Sequence, residues 1–128
     1  MTSKLELGKF GEGVACKYLV SKGYKIIERN YRKPWGEIDI ISRDPEGILV
    51  FIEVKTVGDN YGDSLSITPE DQLTHSKLKK LQRTASLYME CLPANINNID
   101  NNDFGWRIDL LALTIQGKNC LVKHYKNI

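Results

Sequence analysis

Cysteine, histidine and long apolar runs are scarce in this sequence, and each shortage excludes a class of protein. The 128 residues hold three cysteines, Cys16, Cys91 and Cys120, widely spaced and with no CxxC pair. An odd, scattered set gives neither a disulfide framework nor a zinc ribbon. The two histidines, His75 and His124, stand alone and read as surface residues. The longest apolar run is Ile48 to Ile52, ended by Glu53, far short of the roughly 18 residues a membrane span needs. The opening Met1-Thr2-Ser3-Lys4-Leu5-Glu6 lacks the apolar core of a signal peptide. The expectation is therefore a cytoplasmic chain with no membrane partner. Excess charge is also missing: 18 basic and 16 acidic residues leave a net +2. That is too little to mark a dedicated nucleic-acid binder by charge alone.

What is present is ordinary globular composition, 41% hydrophobic and 27% charged, in a length suited to one domain over residues 1–128. The basic residues are clustered. Lys22, Lys25, Arg29, Arg32 and Lys33 have one acid among them, and Lys77, Lys79, Lys80 and Arg83 form a second group. Each cluster can contact phosphate; each can equally be a solvated face.

Leu7, Phe10, Val14, Tyr18 and Leu19 recur at helical spacing and predict a helix over 5–22. Gly8, Gly11 and Ala15 on the same side would let it sit close to a sheet, and Gly23 stops it. Strands are expected over 24–31, 35–43 and 48–57. The last two are joined by Asp44-Pro45-Glu46-Gly47, which suits a type I turn closing a three-residue hairpin loop. A polar loop over 58–67 leads to Thr68-Pro69-Glu70-Asp71, a helix start. That helix should run to about Cys91 and bury Leu78, Leu81, Ala85, Tyr88, Met89 and Leu92. After an asparagine-rich connection over 94–103, strands are expected over 104–115 and 121–125. The order is helix, three strands, helix, two strands.

The informative segment is Trp35-Gly36-Glu37-Ile38-Asp39-Ile40-Ile41 with Ile48-Leu49-Val50-Phe51-Ile52-Glu53-Val54-Lys55. Both stretches read as buried strands, yet they carry four ionisable side chains, which need partners or a metal. If residues 45–47 form the loop, Asp39 faces Glu53, Glu37 faces Lys55, and all four project from one face. Opposed carboxylates repel unless a cation or a shared proton intervenes, and a divalent ion with oxygen ligands removes the conflict. Such an ion polarises a phosphate and acidifies a water, and Lys55 could orient that water or stabilise the anionic transition state. A structural network pairing Lys55 with Glu37 on an exposed face is the competing reading, and spacing alone does not separate the two.

Asp39, then thirteen intervening residues, then Glu53-Val54-Lys55 resembles the PD-(D/E)XK nuclease superfamily. Gly36-Glu37-Ile38-Asp39, the run Phe51-Ile52-Glu53-Val54-Lys55-Thr56 and the opening Gly8-Lys9-Phe10-Gly11-Glu12 more closely resemble the YraN-like family of small, largely uncharacterised bacterial proteins. These are related to archaeal Holliday-junction resolvases. The resemblance spans about Leu7 to Leu113. It implies an α/β, restriction-endonuclease-like fold with a five-stranded mixed sheet flanked by helices. It also implies a Mg²⁺- or Mn²⁺-dependent endonuclease acting on DNA, with branched or structured DNA as a candidate substrate. Asp39 and Glu53 would be the metal carboxylates, the Val54 carbonyl a further ligand, Lys55 the catalytic lysine and Glu12 an acid near the metal. Lys77 would contact phosphate, and Lys80, Arg32 and Lys33 complete the expected nucleic-acid contacts. The resolvases work as two-fold dimers, which makes a homodimer one option. Ile38 replaces the superfamily's proline, Val57 stands where relatives often have arginine, and Leu78 where some have glutamine. The alternative function is a non-catalytic nucleic-acid-binding module on the same scaffold.

Overall fold

The computed structural model describes residues 4–58, 73–92 and 105–128. Helix α1 spans Lys4–Ser21. Strands β1 (Lys25–Lys33), β2 (Gly36–Arg43) and β3 (Leu49–Val57) follow, then helix α2 (His75–Glu90) and strands β4 (Trp106–Gln116) and β5 (Asn119–Tyr125). The five strands form one mixed sheet in the order β1-β2-β3-β4-β5. All neighbours are antiparallel except β3 and β4. A parallel pair needs a crossover, and α2 lies in that connection. The expected α/β architecture, a five-stranded mixed sheet with flanking helices, is what the chain forms.

Each face of the sheet has its own core. Ala15 and Leu19 of α1 pack with Tyr24, Ile40, Val50, Ile52, Leu111 and Leu113. Leu81 and Ala85 of α2 pack with Tyr31, Ile38, Ile41, Leu49, Phe51 and Ile108 on the other side. Phe51 meets Tyr88 and Trp106 edge-on at 5.5 and 5.6 Å, which fixes α2 over the sheet. Central β3 is buried on both faces through Ile52, hence its unbroken apolar run.

Several boundaries and contacts differ from expectation. The helix ending near Cys91 begins at His75, because Thr74 caps it: its side chain accepts from the Lys77 N–H at 3.3 Å. The Thr68–Pro69 start, the polar loop from residue 59 and the asparagine-rich connection lie outside the described residues. On α1, Phe10 is 53% exposed and Gly8 faces open space. Gly11 is the close approach, since a Cβ there would overlap the Thr56 side chain of β3. The hairpin turn forms as expected. The Gly47 N–H donates to the Asp44 carbonyl at 3.0 Å, and Gly47 takes a φ of +92°.

His124 is not a surface residue. Its Nε2 lies 2.7 Å from Asp109 Oδ2, and its Nδ1 lies 3.1 Å from the Tyr18 hydroxyl. Asp109, fully buried, also accepts from Arg107 Nε at 2.9 Å and from the Asn127 N–H at 3.0 Å. Arg107 continues to Asp44 Oδ2 at 2.7 Å and to the Tyr24 hydroxyl at 2.9 Å. This network ties β4 to β5, α1 and the β2–β3 turn. Its role is structural, and it includes a histidine that periodicity does not reveal. Among the described residues no helix is long and apolar enough to cross a membrane.

Candidate metal and phosphate site

The β2–β3 hairpin has the register that a three-residue loop dictates: Arg43↔Leu49, Ser42↔Val50, Ile41↔Phe51 and Ile40↔Ile52. It stops one pair before Asp39 and Glu53. The expectation of a continuous ladder carrying Asp39 opposite Glu53 and Glu37 opposite Lys55 is therefore corrected. Two features account for the break. In the β1–β2 ladder the register passes from Arg29↔Ile40 to Tyr31↔Ile38, skipping Asn30 and Asp39. There Asn30 adopts a left-handed φ of +53°, which asparagine tolerates better than most residues. Ile40 then packs on the α1 side while Ile38 packs on the α2 side, although plain alternation would put them on one face. Asp39 sits at this inversion and turns its carboxylate to β3, where Oδ2 accepts the Val54 N–H at 2.8 Å.

Past Ile52, β3 stays paired with β4 as far as Val57↔Thr114, while its described pairing with β2 has ended. The divergence opens a cleft of about 390 Å³. Asp39, Glu53 and Lys55 line it together with Glu37 and Gly36 of β2, Lys33 and Pro34 at the β1–β2 turn, and Lys77, Lys80 and Leu81 of α2. Gly36 lets α2 approach, because a Cβ there would overlap the Thr84 hydroxyl.

The cleft's electrostatics follow from burial and crowding. Burial first, and then the Glu53 charge, raise the Asp39 carboxyl from its ordinary 3.8 to about 7, against the pull of the Val54 N–H. Burial also pushes Glu53 up, opposed by the Lys55 ammonium. Lys55 Nζ lies 3.3 Å from Glu53 Oε1, so its partner is Glu53 and not Glu37. Glu37 is exposed and adds to the negative field at Glu53.

The remaining expected residues divide. Lys33, Lys77 and Lys80 line the cleft, and the Lys77 charge reaches Glu53; Arg32 is not among the lining residues. Glu12 lies behind the cleft on α1, close enough for its charge to raise Asp39. With its amide nitrogen turned toward α1, Asn30 donates to both Glu12 carboxylate oxygens at 3.2 Å. Asn30 is the residue sequence reasoning missed. The one available signal is its type, since asparagine inside a strand marks backbone that can leave the extended region. Val54 enters through its amide.

The donor set suits a hard divalent ion. Two partly buried, mutually repelling carboxylates are the oxygen ligands Mg²⁺ prefers. Among the described residues no three His, Cys, Asp or Glu side chains converge on one point, so such an ion would take its other ligands from backbone, water or phosphate.

Residues 11–113 match the model of the uncharacterised protein family UPF0102. The chain belongs to this family. A UPF0102 protein of Thermodesulfovibrio yellowstonii is 38% identical over 112 residues, covering 87% of this chain and 88% of its own. One from Clostridium botulinum is 38% identical over 125 residues, covering 95% and 92%. One from Thermotoga petrophila is 38% identical over 121 residues, covering 94% of each. UPF0102 membership agrees with the YraN-like resemblance. The match to the family model includes Glu12, Asn30, Asp39, Glu53, Lys55, Lys77 and Lys80, so this UPF0102 chain carries the whole candidate site within its family-defining region.

Proposed function

We propose that this UPF0102 protein is a Mg²⁺- or Mn²⁺-dependent endonuclease that hydrolyses phosphodiester bonds in DNA. The observation that carries the reading is the meeting of Asp39 and Glu53 at a cleft between diverging strands, with Lys55 on Glu53 and lysines around the rim. Asp39 and Glu53 would hold the ion, with the Val54 carbonyl as a further oxygen. The ion, when bound, supplies Lewis-acid polarisation of the scissile phosphate.

The chain's own residues do the rest. Lys33, Lys77 and Lys80 hold the phosphate backbone against the cleft by charge. Lys55 contributes its ammonium where negative charge grows on the phosphate oxygens, and Glu53 fixes its position. Asp39 is held in place by the Val54 N–H, so its carboxylate needs little reorganisation to bind.

One observation favours a second reading, a nucleic-acid-binding module without turnover. Lys55 is already paired with Glu53, and among the described residues no three carboxylates converge on one point.

The test is cleavage of fluorescently labelled single-stranded, flapped and four-way-junction DNA in Mn²⁺, for wild type, Lys55→Met and Asp39→Asn. Cleavage lost in both variants, with DNA affinity retained by Lys55→Met within a few-fold, supports the enzyme. Binding without cleavage on every substrate, unchanged by Asp39→Asn, supports the module. Absence of DNA binding at low salt removes both.

A further inference from the structure

Lys33 and Gly36 are the last paired residues of the β1–β2 ladder, so Pro34 and Trp35 form a two-residue hairpin tip. Proline fixes φ and strand pairing clamps both ends, so this tip is short and stiff. Lys33, Pro34 and Gly36 all line the cleft, while the Trp35 side chain between them is 41% exposed. A single exposed apolar residue ordinarily needs no explanation. Trp35 differs in its placement: an indole on a rigid tip, outside the lining of the cleft itself but between the cleft residues Pro34 and Gly36 in the chain. The other tryptophan, Trp106, packs edge-on against Phe51 in the α2-side core.

A flat aromatic ring beside a cationic groove is the pairing that holds single-stranded nucleic acid. Lysines follow the backbone while the ring stacks on a base, whatever its identity. In a duplex the base faces are already stacked on their neighbours, so the ring gains nothing from them. We infer that Trp35 stacks on an unpaired base of a DNA strand seated in the cleft. The substrate is then single-stranded DNA, or a duplex with unpaired nucleotides beside the scissile phosphate. This rests on the reading of the cleft as a phosphodiester site and adds the class of DNA that fits it.

The test uses the full chain in EDTA at low salt, so that affinity is read without turnover. A 12-nucleotide single strand, the matching duplex and that duplex with an internal bulge are titrated by anisotropy. Indole fluorescence is followed in wild type and in Trp106→Phe, where Trp35 is the sole reporter. The single strand and the bulged duplex should quench Trp35. Trp35→Ala should weaken binding of the single strand roughly ten-fold while leaving the duplex within about two-fold, and Trp35→Phe should keep most of the affinity. Melting curves matching wild type establish that the exposed substitution leaves the fold intact. Strong binding of the single strand with no quench and no loss in Trp35→Ala overturns the stacking and leaves the phosphodiester reading standing. Failure of every DNA to bind overturns both.

Discussion

Replacing Asp39 with asparagine should make this protein more stable at neutral pH and insensitive to the metal. Asparagine has the same shape, and its side-chain oxygen can still accept the Val54 N–H. What it removes is a negative charge forced against Glu53. The folded state raises the Asp39 carboxyl from 3.8 to about 7, so the folded protein holds this proton more tightly than the unfolded chain. Stability then falls as pH climbs from about 4 to about 7, and the full penalty applies above that. At about 1.4 kcal/mol per pH unit the penalty has a ceiling of about 4 kcal/mol. The cleft is open to water and the repulsion is shared with Glu53, so about 2 kcal/mol is the expected gain at pH 8. For a chain of this length that corresponds to a melting temperature higher by roughly 6–10 °C. At pH 4, where the wild-type carboxyl is protonated, the difference should vanish. Ten millimolar Mn²⁺ should raise the wild-type melting point at pH 8, by about 1.4 kcal/mol of stability if the dissociation constant is near 1 mM. In Asp39→Asn that increment should disappear. Calorimetric melting curves of both proteins at pH 4 and pH 8, with and without Mn²⁺, test the argument. A variant that melts at or below wild type at pH 8, or that keeps the Mn²⁺ increment, would refute it.

Three further expectations follow from the packing. Gly36→Ala should cost about 1–3 kcal/mol, because the new methyl must displace Thr84; the double variant with Thr84→Ala should recover much of that in urea unfolding, and equal losses would show that the contact is not the cause. Asp109→Asn should destabilise by about 3 kcal/mol at pH 7, since it removes the buried negative charge beside Arg107 and replaces one of the two oxygens that Arg107 and His124 share with an amide donor. Hydrogen bonds from His124 and Arg107 outweigh burial and hold the Asp109 carboxyl below its ordinary value, so this contribution is present at neutral pH and shrinks progressively as pH falls below about 4; a deficit no smaller at about pH 3 than at pH 7 counters that account. Lys77→Gln with Lys80→Gln should lower DNA affinity and flatten the slope of log affinity against log salt by roughly 1.5–2; an unchanged slope would place the backbone elsewhere.

The candidate site was legible in the sequence to the extent that it depends on local rules. The turn chemistry of Asp44-Pro45-Glu46-Gly47 sets the loop length, and the loop length sets the register through Ile40↔Ile52. The acids and the lysine were conspicuous because charge on an apolar strand is expensive. Glu12 was a helix-edge glutamate to periodicity alone; its link to Asn30 joins residues far apart in the chain. His124 was misread for the same reason, since its partners Asp109 and Tyr18 come from other elements.

By itself, then, the sequence determined the order of elements, the hairpin register and the inventory of ionisable groups. Each of these follows from spacing along the chain or from the conformational limits of single residues. Only the tertiary structure decided that the ladder ends before Asp39 and that Asn30 inverts the face at that point. It also brings the lysines of α2 over the opening between β2 and β3. These depend on the left-handed backbone at Asn30 and on α2 meeting the sheet where Gly36 faces Thr84, a contact between residues that no pattern of neighbours encodes.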